Sequence, residues 1–193
     1  WVSLAKKTQF RLAETEKYPH VTFFLNGGNE KSLIGESRNM PHSPKVVTYD
    51  LKPEMSSEAV TEALVDAIEG NYDLIVTNYA NPDMVGHTGN LDAAIEACEA
   101  VDKGIGRLVD ALKKADGTLF LTADHGNCEL MTDPVTGNPH TAHTLNPVPA
   151  ILFNGPENKY LSDGGRLSDI APTILELMDL NPPAEMTGNS LLT

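Results

Sequence analysis

Apolar positions along the chain fall into two rhythms. Short apolar or β-branched runs at Val21 to Leu25, Val46 to Tyr49, Leu74 to Tyr79, Thr118 to Ala123 and Ala150 to Phe153 are bounded by Gly, Pro, Asn or Asp. These runs have strand length and read as largely buried strands. Between them the period lengthens. Ser56 is placed to cap a helix that puts Val60, Ala63, Leu64, Ala67 and Ile68 on one face and ends at Gly70. A second helical stripe runs through Leu91, Ala94, Ile95, Cys98, Val101, Ile105, Leu108, Val109 and Leu112. A third helix is expected over Ser168 to Leu180, with Pro172 tolerated in its first turn. Strands alternating with helices predict an α/β fold, a mainly parallel sheet with helices on both faces.

The chain has 193 residues, 40% of them hydrophobic, enough for one substantial core and consistent with a single region spanning residues 1–193. No apolar run approaches the roughly 18 residues of a membrane span, and no leader pattern opens the chain. The first residue is Trp1 rather than Met, and a truncated N-terminus is expected. Cys98 and Cys128 are the two cysteines; both read as ordinary buried or loop positions, and a reducing cytoplasm is the expected location. A net charge of −13 opposes binding to nucleic acid or an anionic membrane. An anionic small substrate would need a local reversal of sign, which bound divalent cations supply.

Three clusters carry candidate chemistry. Asp83 and His87 lie four residues apart just after the run ending at Tyr79, in a loop or first turn. Asp124 and His125 follow the run ending at Ala123, and His140 and His143 lie in the long stretch from Asn127 to Pro149. Open α/β sheets bind ligands at the carboxyl ends of their strands, and long loops are often functional. Mixed Asp and His ligands suit Mn²⁺, Zn²⁺ or Fe²⁺ better than Ca²⁺ or Mg²⁺. A pair of such ions would serve phosphoryl transfer or phosphate-ester hydrolysis. Each cluster alone has a plainer explanation as a cap, turn or surface pair; their recurrence at strand ends favours the metal reading. His20 and His42 read as structural or exposed, and Lys17 on its own reads as a solvated lysine.

Read together, Glu14-Thr-Glu-Lys-Tyr-Pro-His-Val-Thr-Phe-Phe, Ser43-Pro-Lys-Val-Val-Thr-Tyr-Asp-Leu-Lys-Pro-Glu-Met, Asn78-Tyr-Ala-Asn-Pro-Asp-Met-Val-Gly-His, Thr122-Ala-Asp-His-Gly-Asn and Thr141-Ala-His-Thr-Leu-Asn-Pro-Val-Pro resemble the cofactor-independent phosphoglycerate mutases. The resemblance runs from about Leu12 to the closing Glu185-Met-Thr-Gly-Asn-Ser-Leu-Leu. It implies the C-terminal portion of an alkaline-phosphatase-like, three-layer domain with two Mn²⁺ ions. Asp83, His87 and His143 would match one metal site, and Asp124 and His125 part of the other. His143 takes that role over His140 on the resemblance, and Lys17 would match an active-site lysine beside the transferred phosphoryl group.

In this family a serine attacks the phosphate of 3-phosphoglycerate, and the retained glycerate accepts it back as 2-phosphoglycerate. No serine of this chain sits in a matching nucleophile context. That serine, a further aspartate ligand and an inserted substrate domain are expected upstream, in the missing N-terminal part of the same polypeptide. The resemblance therefore implies a phosphoglycerate substrate, an intact enzyme that is monomeric and cytoplasmic, and a chain inactive by itself. Two other readings remain open: a phosphatase or phosphopentomutase of the same superfamily, and a non-catalytic metal-binding module.

Overall fold

Gln9–Ala13 forms strand β1, at the centre of a three-stranded parallel sheet of order β2-β1-β3. The computed structural model describes every residue from Trp1 to Thr193. The apolar pattern does not reveal β1, because side chains alternate across a strand and one face carries Gln9 and Arg11. Both are buried, and Arg11 Nη2 donates to Gln9 Oε1 at 2.5 Å. Its other face turns Phe10 and Leu12 toward the helices. Strand β2 (Glu36–Asn39) is polar throughout, as suits an edge. Its Glu36 accepts from Asn26 Nδ2 at 2.9 Å and pairs with Arg38. Strand β3 (Leu74–Asn78) lies on the other side of β1, with Leu12 opposite Thr77 and Ala13 opposite Asn78.

Two expected strands are replaced by other structure. At Val21 to Leu25 the chain instead completes a short helix α1 (Tyr18–Val21) and continues in turns. Pro19 opens that helix, its carbonyl accepts from the Phe24 N–H, and the Thr22 hydroxyl donates to the Tyr18 carbonyl at 2.7 Å. These local bonds compete with strand pairing. The stretch Val46 to Tyr49 finds no partner strand. Val47 is 93% exposed, and a 3₁₀ turn follows at Tyr49–Leu51.

Helix α2 (Ser57–Glu69) buries Val60, Leu64 and Ile68 and ends at Gly70, as the pattern requires. Ser56 holds the N-cap position, but its hydroxyl donates to the His42 carbonyl rather than to the helix. Helix α4 (Leu91–Ala115) is capped by Asn90, whose Oδ1 accepts from the Ala93 N–H at 3.2 Å. Its buried stripe is Ala93, Ala94, Ala97, Gly104, Leu108 and Leu112. Leu91 and Ile95, expected inward, are half exposed, and Cys98 is exposed. The inward stripe uses small residues because α4 packs closely. A Cβ on Gly104 would stand 2.6 Å from Thr61 Oγ1 and 2.8 Å from the Tyr79 hydroxyl. Leu12, Val60, Leu64, Ile68, Leu108 and Leu112 form the core that α2 and α4 share with β1.

Strands β4 (Leu119–Thr122) and β5 (Ala150–Phe153) arise where the pattern placed them, but they pair antiparallel in a separate two-stranded sheet. Their Leu119 and Phe153 nonetheless pack on the same core as Ile75 of β3. The last helix, α5 (Ile170–Leu177), is shorter than expected at both ends; a 3₁₀ turn at Leu167–Asp169 leads into it. No helix of the chain is long and apolar enough to cross a membrane.

Candidate metal centre

β1 and β3 are parallel, so their carboxyl ends share one edge, and each delivers part of the site there. After β1 a 3₁₀ turn, Thr15–Lys17, carries Lys17. After β3 the chain enters a short helix α3 (Asn81–Gly86), started by Pro82 and tied down by the buried Asn81, whose Nδ2 donates to the Pro53 carbonyl at 2.9 Å. The helical spacing sets Asp83 and His87 on one face, with the His87 N–H donating to the Asp83 carbonyl at 3.1 Å. Asp124 and His125 follow β4. His143 returns from the loop that Thr144 pairs back onto Gly126.

The side chains converge on one carboxylate. Asp83 Oδ1 lies 2.9 Å from His143 Nε2, 3.1 Å from His87 Nε2 and 3.8 Å from His125 Nε2. His87 Nε2 and His143 Nε2 are themselves 3.1 Å apart. The donor atoms of Asp83, His125 and His143 all lie within 4.8 Å of one another. Donors held about 2.1 Å from a common cation stand about 3.0–3.4 Å apart, which is close to this spacing. The rings of His125 and His143 stack at 3.6 Å between centroids.

The tautomer of His87 sharpens the fit. Its Nδ1 lies 2.7 Å from the Thr141 carbonyl oxygen, which only accepts, so Nδ1 carries a proton and Nε2 is the nitrogen turned toward His143 Nε2 and Asp83 Oδ1. A carbonyl that orients a histidine's outer nitrogen is the usual support of a metal ligand.

Lys17 occupies the opposite side of the same carboxylate. Its buried ammonium pairs with Asp83 Oδ2, while Asn127 Nδ2 donates to Oδ1 at 3.2 Å and to the Asp83 carbonyl at 3.3 Å. Burial alone would raise the Asp83 carboxyl. The hydrogen bond and charge of Lys17, with smaller help from Asn127 and His87, outweigh it and hold the group at about 2. Asp83 is therefore ionised and ready to ligate across the physiological range. Asp124 is exposed, its Oδ1 3.6 Å from His125 Nε2.

Several residues at the site carry no signal in the sequence. Asn127 is one. Glu129 is another: its Oε2 accepts from the Asn127 N–H at 2.7 Å, and its Oε1 from Asn146 Nδ2 at 2.9 Å and from the Thr144 hydroxyl. Glu129 thus clamps the loop bearing His125 to the loop bearing His143. His20, read from the sequence as structural or exposed, stands within electrostatic reach of Lys17, Asp124, Asp83 and His125. Burial first and the Lys17 charge next lower its basicity, and its Nδ1 is buried without a partner. His140 does not join the cluster: its main-chain N–H donates to the Met131 carbonyl at 3.0 Å.

A parallel-sheet scaffold presenting carboxylates and imidazoles at its strand ends defines a metal-dependent enzyme class. The model of the Metalloenzyme superfamily matches residues 1–182, and the chain belongs to that family. Among individual relatives, it is 66% identical over 192 residues to the 2,3-bisphosphoglycerate-independent phosphoglycerate mutase of Agrobacterium fabrum. It is 68% identical over 192 residues to that of Ruegeria sp. strain TM1040. Each match covers 100% of this chain and 38% of the relative, so the chain spans well under half of their length. Crystal structures of Leishmania mexicana phosphoglycerate mutase at low cobalt concentration superpose with a TM-score of 0.91 at 32% identity. That match covers 100% of this chain and 38% of the other.

Proposed function

We propose that this chain is the metal-binding part of a 2,3-bisphosphoglycerate-independent phosphoglycerate mutase, in which it interconverts 3-phosphoglycerate and 2-phosphoglycerate through a phosphoserine on a two-manganese site. The observation that carries the reading is the convergence of three imidazole nitrogens on Asp83 Oδ1, with the Lys17 ammonium on Oδ2. Asp83, His87 and His143 would hold one ion, and Asp124 and His125 would contribute to a second. Bound there, the cations would neutralise phosphoryl charge and lower the pKa of an attacking hydroxyl.

The chain's own groups do the rest. Lys17, kept from solvent and anchored by Asp83, offers a fixed positive charge to the phosphoryl oxygens, which strengthens as water is excluded. Asn127 and Glu129 hold the ligand loops in register, so that little reorganisation accompanies reaction.

The nucleophile lies in polypeptide outside these residues. Three serine hydroxyls of the chain are engaged locally: Ser43 donates to Glu14 Oε2 at 2.8 Å, Ser56 to the His42 carbonyl at 2.7 Å and Ser57 to the Glu54 carbonyl at 2.8 Å. The two small sheets leave β3 and β4 each with an unpaired edge beside a shared core, a natural place for further chain to dock. The intact protein is proposed to be a cytoplasmic monomer, and the isolated chain inactive.

The test is a mutase assay on the longer polypeptide without 2,3-bisphosphoglycerate, comparing manganese-replete with chelated protein. Manganese-dependent isomerisation supports the reading. Release of phosphate without isomerisation makes the protein a phosphatase of the same superfamily, and metal binding without either activity leaves a non-catalytic module.

A further inference from the structure

The turn that carries Lys17 buries two charged side chains. Glu14 precedes the 3₁₀ turn Thr15–Lys17 and Lys17 ends it, with the Lys17 N–H donating to the Glu14 carbonyl at 3.0 Å. Side chains three residues apart eclipse in such a turn, so Glu14 and Lys17 both turn inward while Thr15 and Glu16 stay exposed. Lys17 reaches the Asp83 carboxylate, whereas Glu14 binds a different segment. We propose that Glu14 is a positioning residue for Lys17: its carboxylate ties the strap of residues 41–56 to the turn, and the strap keeps the Lys17 ammonium on Asp83. The effect on turnover rests on the mutase reading; the positioning itself does not.

The carboxylate joins three segments. Its Oε2 accepts from the Ser43 hydroxyl at 2.8 Å, and its Oε1 from the Ser56 N–H at 3.3 Å, at the amino end of α2, where negative charge is favoured. The strap then grips the turn from outside. The Thr15 N–H donates to the Pro41 carbonyl at 3.1 Å, and the Ser43 N–H donates to Thr15 Oγ1 at 3.1 Å. The Glu16 N–H reaches Ser43 Oγ at 3.4 Å, and the Tyr49 hydroxyl donates to Glu16 Oε1 at 2.6 Å. The Ser56 hydroxyl closes the strap on itself by donating to the His42 carbonyl at 2.7 Å.

A fully buried carboxylate is costly unless it is bonded. Burial pushes the Glu14 carboxyl up, and the Ser43 and Ser56 bonds offset that in part. An apolar residue would fill the same space without this cost, so what the carboxylate adds is the connection it makes. Residues 41–48 have no helix or strand of their own, and Val47 is exposed. Hydrogen bonds rather than a packed core therefore place this half of the strap.

Lys17 follows the turn because its own bonds are few. Its N–H is held by the Glu14 carbonyl and its ammonium by Asp83, while Glu14, Thr15 and Glu16 each bond the strap. A lysine carries its charge on a flexible stem, so where the ammonium falls depends on where the turn sets the main chain. Released from the strap, the turn loses its outer support, and the ammonium exchanges Asp83 for water.

The test is trace acetylation of the metal-free chain with acetic anhydride, read lysine by lysine by peptide mass spectrometry. In the parent chain Lys17 should label far more slowly than the exposed Lys113. Glu14→Ala should speed Lys17 by about 10-fold relative to Lys113, the mark of a local opening, while Lys7, paired with Asp73 at the start of β1, keeps its parental rate. Glu14→Gln, which keeps the shape and an acceptor, should stay within about 2-fold of the parent. Ser43→Ala removes the strap's side of the bond and should speed Lys17 by a smaller factor, which decides the matter if Glu14→Ala does not fold. Unchanged labelling of Lys17 in the alanine variants, or a rise that Lys7 shares, would overturn the positioning role. In the longer polypeptide Glu14→Ala should lower kcat, and adding it to Lys17→Met should cost less than about 2-fold more, since nothing is left to position. A multiplied loss in the double variant would overturn action through Lys17. A parent without mutase activity would overturn the mutase reading alone, and the labelling would still decide the positioning.

Discussion

Gly86 lies directly against the Asn127 amide: a Cβ at residue 86 would stand 2.7 Å from Asn127 Cγ. The glycine at the end of α3 is thus what lets the second loop close on the first. Gly86→Ala should push Asn127 off Asp83 and weaken Mn²⁺ binding by about 10-fold to 100-fold, the usual cost of losing a group that braces a ligand. Asn127→Ala should reproduce the loss. Calorimetry on both variants checks this, and a Gly86→Ala chain with unchanged affinity would show that the Asn127 contact does not support the ligand.

Lys17 and a cation compete for the charge of Asp83. Lys17→Met should therefore leave Mn²⁺ affinity in this chain unchanged or several-fold tighter, since it removes a positive neighbour. Turnover by the longer polypeptide should fall by at least about 100-fold, the typical cost of losing one electrostatic stabiliser of the reacting group. A parallel loss of metal affinity would instead make Lys17 a structural support of the site.

Asp73 offers a pH test away from the metal. It accepts from the Thr8 N–H at 2.8 Å, from the Thr8 hydroxyl at 2.9 Å and from Lys7 Nζ at 3.1 Å, tying the start of β1 to the start of β3. The Thr8 N–H first, then the Thr8 hydroxyl and Lys7, hold its carboxyl at about 2, below the ordinary 3.8. A depressed carboxyl stabilises the fold above its unfolded pKa, and that contribution is lost as pH falls through the folded value. Asp73→Asn should lower the melting temperature at pH 7, with the gap to the parent chain closing between about pH 4 and pH 2. A gap that stays constant across that window contradicts the assignment.

Leu64 sits at the centre of the core between α2, α4 and β1. Leu64→Ala should destabilise the chain by about 2–5 kcal/mol, read by denaturant unfolding. A loss below about 1 kcal/mol would mean that the helices repack freely over β1.

Much of the frame was legible because α2 and α4 show their burial as apolar periodicity, and β3 and β4 as apolar runs of strand length, although both strands are half-buried rather than largely buried as expected. Strand β1 was hidden because its Gln9 and Arg11 are buried by bonding to each other rather than by being apolar. β2 was hidden because an edge strand of Glu, Ser, Arg and Asn has no apolar face. Conversely, Val21 to Leu25 imitates a strand, but Pro19 and the Thr22 hydroxyl turn it into a helical loop. Asp83, His87, Asp124 and His125 were legible as candidates because they follow strand ends or sit at helical spacing, whereas the choice of His143 over His140 rested on the family resemblance. Asn127, Glu129 and the Thr141 carbonyl were not, since their roles depend on how two distant loops return to one another.

The central claim is that Asp83 gathers His87 and His143 around a divalent cation. It is tested most directly by calorimetric titration of Mn²⁺ into the metal-free chain and into its Asp83→Asn variant. The account predicts one dominant site in the parent chain, a second that is largely empty, and a loss of at least about 100-fold in affinity for the variant. Two equally tight sites in the parent chain, or an Asp83→Asn variant that binds as the parent does, would contradict it.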